Sequence, residues 1–256
     1  MKRLLVGDHR EELVSALETI LRHWGYRVVA STGAEQLCDL IRETGPDLII
    51  MGSRLLVGQG PALRDAVRQK VCEESLPLIL LGEGDQLQTL DMPHETLEIP
   101  LDVFSLFALI QRHVERHPRK NLRLTVKLPG MFCRGETCTL AEVLTLSTEG
   151  LFIRTGARLE ERDEVRVFFP LMGMKQELEL DGRVLYRVEP GPENKYMQGV
   201  GIEFAELAGA SDRLLRSFIE RCFLGELSTH RHGDEQMAKN QLRNISPEIT
   251  LELRRA

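Results

Sequence analysis

The hydrophobic period changes once along this chain, near residue 121, and the change divides it into two kinds of fold. Upstream, runs that are apolar at every position alternate with stretches whose apolar residues recur every three or four. Leu4-Leu5-Val6, Leu48-Ile49-Ile50-Met51 and Leu78-Ile79-Leu80-Leu81 are the continuous runs. Strands of this kind are buried on both faces, as in a parallel sheet covered by helices. Leu13, Ala16, Leu17, Ile20, Leu21 and Trp24 mark one face of a helix that ends at Gly25. Arg27–Ala30 reads as a second strand and Thr96–Ile99 as a weaker fifth. Helices are expected at Ala34–Arg42, near Pro61–Lys70 and at Leu101–Arg116, with Gly45-Pro46 as a break. Right-handed crossovers then give an α/β, flavodoxin-like doubly wound domain.

Downstream the period is two. Leu122, Leu124, Val126 and Leu128 alternate with Arg123, Thr125 and Lys127, the pattern of a half-buried strand. Further strands are expected at Thr139–Ser147, Leu151–Arg154, Val165–Phe169, Glu177–Glu189 and Val200–Phe204. Pro129-Gly130, Gly150, Pro170 and Gly191-Pro192 are the turn signals between them. Many short strands with such turns suggest an all-β antiparallel barrel. Leu214, Leu215, Phe218, Ile219 and Cys222 then form the face of a C-terminal helix, with Ser211 or Asp212 as its cap.

Over residues 1–116 the order and spacing resemble the response-regulator receiver family. Arg3-Leu-Leu-Val-Gly-Asp8 is similar to its first strand and acidic pair, Gly25-Tyr26 to its turn into the second strand, and Pro46-Asp47-Leu48-Ile49-Ile50-Met51 to the strand before the phosphoacceptor. Gly60 fits the glycine that closes the following loop. The resemblance implies a carboxylate nucleophile, acidic oxygens for Mg²⁺, and a hydroxyl and a lysine that steady the phosphoryl charge. His9 stands in place of the second acid, Gly52 in place of the nucleophile, Gly82 in place of the hydroxyl residue, and Ile99-Pro100 in place of Lys-Pro. Residues 1–116 are therefore expected to be a pseudo-receiver that takes up no phosphoryl group and serves as a scaffold or dimerisation module. Asp8 and His9 are two residues short of a metal site and are expected to be a solvated pair. The last helix carries Val103, Phe104, Leu106, Phe107, Leu109, Ile110 and Val114, more than one buried face requires. A homodimer or partner contact through this helix is one reading; a helix wedged between the two domains is the other.

Residues 117–224 resemble the PilZ family. Arg119-Lys-Asn-Leu-Arg123 is similar to its entrance motif Arg-x-x-x-Arg, and Thr145-Leu-Ser147-Thr-Glu-Gly150 to Asp/Asn-x-Ser-x-x-Gly. Gly150-Leu-Phe-Ile153 and Gly199-Val-Gly201-Ile-Glu-Phe204 continue as the family does. The resemblance implies cyclic di-GMP as ligand, with Arg119, Arg123, Thr145, Ser147 and Gly150 as binding residues. Guanidinium groups can grip its phosphates bidentately, read the guanine O6 and N7, and stack on the base. Arg119 sits in a linker suited to closing over the ligand; Arg123 starts a strand. Ser147 offers a hydroxyl on the barrel wall, and Gly150 a backbone free of Cβ. Thr145 departs from the family: a hydroxyl stands where a carboxylate or amide would pair with the donor edge of guanine.

Charge is unevenly placed. Residues 1–111 hold ten Lys/Arg and seventeen Asp/Glu, and residues 112–256 hold twenty-three and twenty-two. The acidic half is a poor partner for a nucleic acid polymer. Arg116, His117 and Lys120 extend a basic cluster around the linker, and a solvated linker face is the expected reading of these three. No apolar run approaches the ~20 residues needed to span a bilayer. Five scattered cysteines (Cys38, Cys72, Cys133, Cys138, Cys222) with no export signal suggest reduced thiols and a cytoplasmic location. Cys133-x4-Cys138 and His230-x-His232 lack the companions a zinc site needs and read as ordinary thiols and solvated histidines. No cofactor motif or nucleophile motif is present, so an enzyme is not expected. Residues 225–256 form a polar tail whose Ile249–Leu253 alternates. The expected function is that of a bacterial cyclic di-GMP-responsive signalling effector acting on an unknown downstream protein. The alternative is a non-binding interaction protein.

Overall fold

The computed structural model of the chain describes residues 1–58, 61–83, 90–207 and 209–230. Two compact units emerge, one holding Met1–Lys120 and the other Asn121–Gly225. The expectations for Gly60, His232 and Ile249–Leu253 fall outside the described residues.

The first unit is a parallel sheet of five strands in the order β2-β1-β3-β4-β5. These are β1 (Arg3–Gly7), β2 (Arg27–Ser31), β3 (Leu48–Gly52), β4 (Leu78–Gly82) and β5 (Glu95–Glu98). β3 and β4 are buried at every position, as their unbroken apolar runs require when both faces are covered. Around the sheet stand α1 (Glu11–His23), α2 (Ala34–Thr44), α3 (Ser53–Gly58), α4 (Pro61–Glu73) and α5 (Val103–Val114). The short α3 was not legible in the sequence: six residues carry less than two turns of periodicity. α5 starts where the Asp102 carboxylate accepts from the Phe104 and Ser105 amides at 3.3 and 3.1 Å. Its seven apolar residues, read from the sequence as an excess suited to a contact surface, are all buried. The helix leaves no exposed apolar patch, and the edge-on pair of Phe107 with Trp24 accounts for part of that cover.

The second unit is a closed antiparallel barrel in the order β10-β11-β8-β7-β6-β9. Its strands are β6 (Leu124–Arg134), β7 (Thr137–Leu146), β8 (Gly150–Arg154), β9 (Glu164–Leu171), β10 (Gln176–Val188) and β11 (Gly199–Phe204). Val143, Leu146, Ile153, Val167, Phe169, Val184, Val200 and Ile202 fill it. The C-terminal helix α6 (Gly209–His230) buries Leu215, Phe218, Ile219 and Phe223. It begins two residues before Ser211, so Ser211 and Asp212 lie in its first turn rather than at its cap.

Two expected turns are strand interior. Pro129-Gly130 lies within β6 and Pro170 within β9. β6 pairs with β9 only over Met131–Cys133, so both prolines sit where one side of their strand has no ladder partner. A proline that donates no hydrogen bond is tolerated there. The β6–β7 hairpin instead turns at Gly135, whose φ of +59° is left-handed. That register sets Cys133 opposite Cys138, and the two form a disulfide with Cα atoms 4.0 Å apart. The expectation of reduced thiols is corrected at this pair; Cys38, Cys72 and Cys222 are thiols.

Candidate ligand-binding site

The C-terminal ends of β1, β3 and β4 meet where a receiver would hold its phosphoryl group. Asp8 is 0% exposed there, not the solvated residue its loop position suggested. Arg10 grips it in a fork: Nε to Oδ1 at 2.9 Å and Nη2 to Oδ2 at 3.0 Å, with the Arg10 amide donating to Oδ1 at 2.9 Å. Nδ1 of His9 lies 3.1 Å from the same oxygen. The Asp8 hydrogen bond holds the Arg10 guanidinium above its ordinary, already high pKa. Arg10 also reaches Glu83, just past β4, at 3.3 Å. A Cβ at Gly52 would come within 2.1 Å of Asp8 Oδ2. The carboxylate of Asp8 thus occupies the space an acceptor side chain would need, and a guanidinium supplies the positive charge beside it. Among the described residues no group of three or more His, Cys, Asp or Glu could hold a metal ion.

The second candidate site lies on the outer face of the barrel. Leu124 pairs with Leu146 and Thr125 with Thr145. Arg123 and Ser147 each lie one residue beyond the Leu124–Leu146 pair, so Arg123, Thr145, Ser147 and Gly150 come together at one end of the β6–β7–β8 sheet. Arg123 is exposed. Ser147 is buried, and its hydroxyl donates to the Gly150 carbonyl at 3.0 Å, beside the Ser147 amide at 2.8 Å. Its first task is to close the turn. Gly150 also has a structural reason: a Cβ there would meet the Ile202 carbonyl oxygen at 2.3 Å. The sequence reading missed Asn121, whose side-chain oxygen accepts from the Thr148 hydroxyl at 3.3 Å and ties the segment between the two arginines to the turn.

Arg119 belongs to the first unit. Its amide donates to Gln111 Oε1 at 3.0 Å, and Gln111 Nε2 donates to the Tyr26 hydroxyl at 2.9 Å, which in turn donates to Glu115 at 3.1 Å. Arg134, Arg154, Arg166, Arg183 and Arg187 of the barrel all have carboxylate partners. Among the described residues, Arg119 and Arg123 have none, which leaves both guanidinium groups available to an anion.

Residues 114–221 match the family model described as PilZ domain. No curated protein matches the chain. Among solved structures, the Bacillus subtilis inhibitor of motility MotI/DgrA is 16% identical over 43% of this chain, with a TM-score of 0.39. The match covers 53% of that chain, so this protein spans about half the length of that relative. The PilZ domain of Escherichia coli YcgR with c-di-GMP is 14% identical over 44% of this chain and 97% of its own, with a TM-score of 0.37. A putative response regulator from Chloroflexus aurantiacus is 23% identical over 45% of this chain and 98% of its own, with a TM-score of 0.39. No helix among the described residues is long and apolar enough to cross a membrane.

Proposed function

We propose that the chain, whose residues 114–221 match the PilZ domain model, is a cyclic di-GMP-responsive signalling effector. The observation that carries the reading is the exposed Arg123 guanidinium, without an acidic partner among the described residues, flanking the Thr145–Gly150 turn. Arg123 grips a phosphate of the ligand, Arg119 joins it from the linker, and Thr145 with the turn backbone faces a base. Capture of Arg119 competes with the Gln111 contact that holds its backbone to the first unit. Ligand therefore changes the linker, and the altered surface acts on a downstream protein. The proposed role is binding, not catalysis.

Titration calorimetry with cyclic di-GMP tests this directly. Charge-assisted contacts are worth roughly 1.5–3 kcal/mol each. Arg119→Ala and Arg123→Ala should each weaken binding by about tenfold to a hundredfold. Thr145→Asp should strengthen it by restoring a carboxylate for the guanine donor edge, and affinity should fall with added salt. Ligand should protect residues 116–123 from hydrogen exchange. Absence of heat and of protection at high ligand concentration defeats the reading and leaves the non-binding interaction protein as the better account.

A further inference from the structure

A disulfide stabilises a fold mainly by closing a chain loop, and does so more strongly the longer the loop. Cys133 and Cys138 are only five positions apart. The β6–β7 ladder already closes that loop, running from Leu124–Leu146 to Arg134–Thr137. On its other side β6 pairs with β9 at Met131–Phe168, Phe132–Val167 and Cys133–Arg166. Phe132, 2% exposed, anchors the hairpin end in the core, and Arg134 ties the turn to Asp163 at 2.8 Å. Backbone ladders, a buried ring and an ion pair thus hold the hairpin end, and the bond between the sulfurs adds little that the fold lacks.

The pair is placed for chemistry instead. Phe132 points inward, so Cys133 and, across the ladder, Cys138 stand on the outer face of the barrel. Cys138 is exposed and Cys133 is half-buried. A small molecule can reach the first sulfur directly, and the second stands opposite it in register. Cys38, Cys72 and Cys222 are thiols on three separate helices. Next along the same outer face is the Met131–Leu140 pair, and Leu140 is 81% exposed. Closing the disulfide fixes the strand spacing beside that apolar side chain, and opening it releases the constraint.

We propose that Cys133 and Cys138 form a reversible thiol–disulfide exchange site for low-molecular-weight disulfides such as glutathione disulfide. Cys138 is the entry sulfur and Cys133 the resolving one. The Cys138 thiolate attacks one sulfur of the small disulfide, forming a mixed disulfide and releasing one small thiol. The Cys133 thiolate then attacks the Cys138 sulfur, forming the intramolecular bond and releasing the second small thiol. Two electrons pass from the two cysteines to the small disulfide, and their two protons end on the released thiols. The reverse steps reopen the pair. Oxidation therefore stiffens the hairpin end under Leu140 without remaking the barrel, and the site works independently of any bound nucleotide.

The test equilibrates the full chain in buffers of reduced and oxidised glutathione, quenches with acid, alkylates in denaturant and counts labels by mass spectrometry. Of the five cysteines, all should label in the reduced buffer and only Cys38, Cys72 and Cys222 in the oxidised one. An accessible exchange pair changes over within the range of glutathione buffers, whereas a structural disulfide resists reduction by them. Peptide mapping of Cys133→Ser should find glutathione retained on Cys138. Cys138→Ser should acquire it on Cys133 more slowly, because that sulfur is half-buried. Reduction of the wild type should raise hydrogen exchange at residues 131–140 and lower the barrel's thermal transition by less than roughly 4 °C, the shift expected of about 1 kcal/mol. A pair that stays closed in excess reduced glutathione, or a barrel that unfolds on reduction, makes the bond a structural staple and overturns the proposal. A pair that stays open in excess oxidised glutathione overturns it as well.

Discussion

A buried carboxylate needs a partner, and at Asp8 that partner is supplied from two residues away. The forked contact with Arg10 satisfies both oxygens, and Gly52 is the residue that leaves room for them. Replacing Arg10 with Ala leaves the buried Asp8 with only the His9 ring and one backbone amide beside it and should cost up to about 3–5 kcal/mol, read as a lower urea midpoint with unchanged slope. Gly52→Asp brings a second carboxylate into occupied space. Overpacking alone costs about 1–3 kcal/mol, and like charge adds to it. The variant should therefore be less stable than wild type, and intact-mass spectrometry after acetyl phosphate and Mg²⁺ should show no phosphoryl adduct on either protein. An adduct on the wild type would mean that another residue accepts phosphate. The sequence revealed that the acceptor was gone, because Gly52 and Gly82 sit at recognisable strand ends. It did not reveal that Asp8 had moved into the space, because that depends on side chains from separate strands meeting in three dimensions. The structural task of Ser147 was hidden for a similar reason: its spacing marks the motif, but only the turn geometry shows its hydroxyl donating to the Gly150 carbonyl.

Between elements, α5 and the linker after it are held by a chain of hydrogen bonds from Glu115 through Tyr26 and Gln111 to the Arg119 amide. Burial, then the Glu115 charge and hydrogen bond, push the Tyr26 phenol up to about 12 from 10.0. The folded state thus disfavours ionisation at a pH where the unfolded chain ionises freely. The resulting stability is complete below pH ~10 and is lost as pH rises through about 12. Urea midpoints should fall more for wild type than for Tyr26→Phe across that window; parallel falls would show that the phenol does not carry the effect. Gly150→Ala should destabilise the barrel, because its methyl group would press on the Ile202 carbonyl of β11, and thermal unfolding will show it. The strands were legible at this scale because alternation survives burial, as in β9, where Val165, Val167 and Phe169 are all buried. Their ends were less so. Pro129 and Pro170 look like turns in any sequence, and only the ladder reveals that each occupies an unpaired edge.

At the scale of the molecule, the shift from unbroken apolar strands to strict alternation correctly announced two units, because parallel sheets and small barrels bury their strands differently. Each unit has its own core, so heating should resolve two transitions rather than one. Trp24 is the sole tryptophan, and its fluorescence follows the first unit alone, while far-UV circular dichroism follows both. Cyclic di-GMP bound mainly to the barrel stabilises that unit by mass action, about 2.7 kcal/mol at a hundred times Kd. The barrel transition should therefore move upward while the Trp24 transition moves little. Arg123→Ala, with binding weakened about tenfold to a hundredfold, should cut the stabilisation to about 0.4–1.4 kcal/mol at the same ligand concentration. A barrel transition that does not move at saturating ligand would mean that the barrel does not hold cyclic di-GMP.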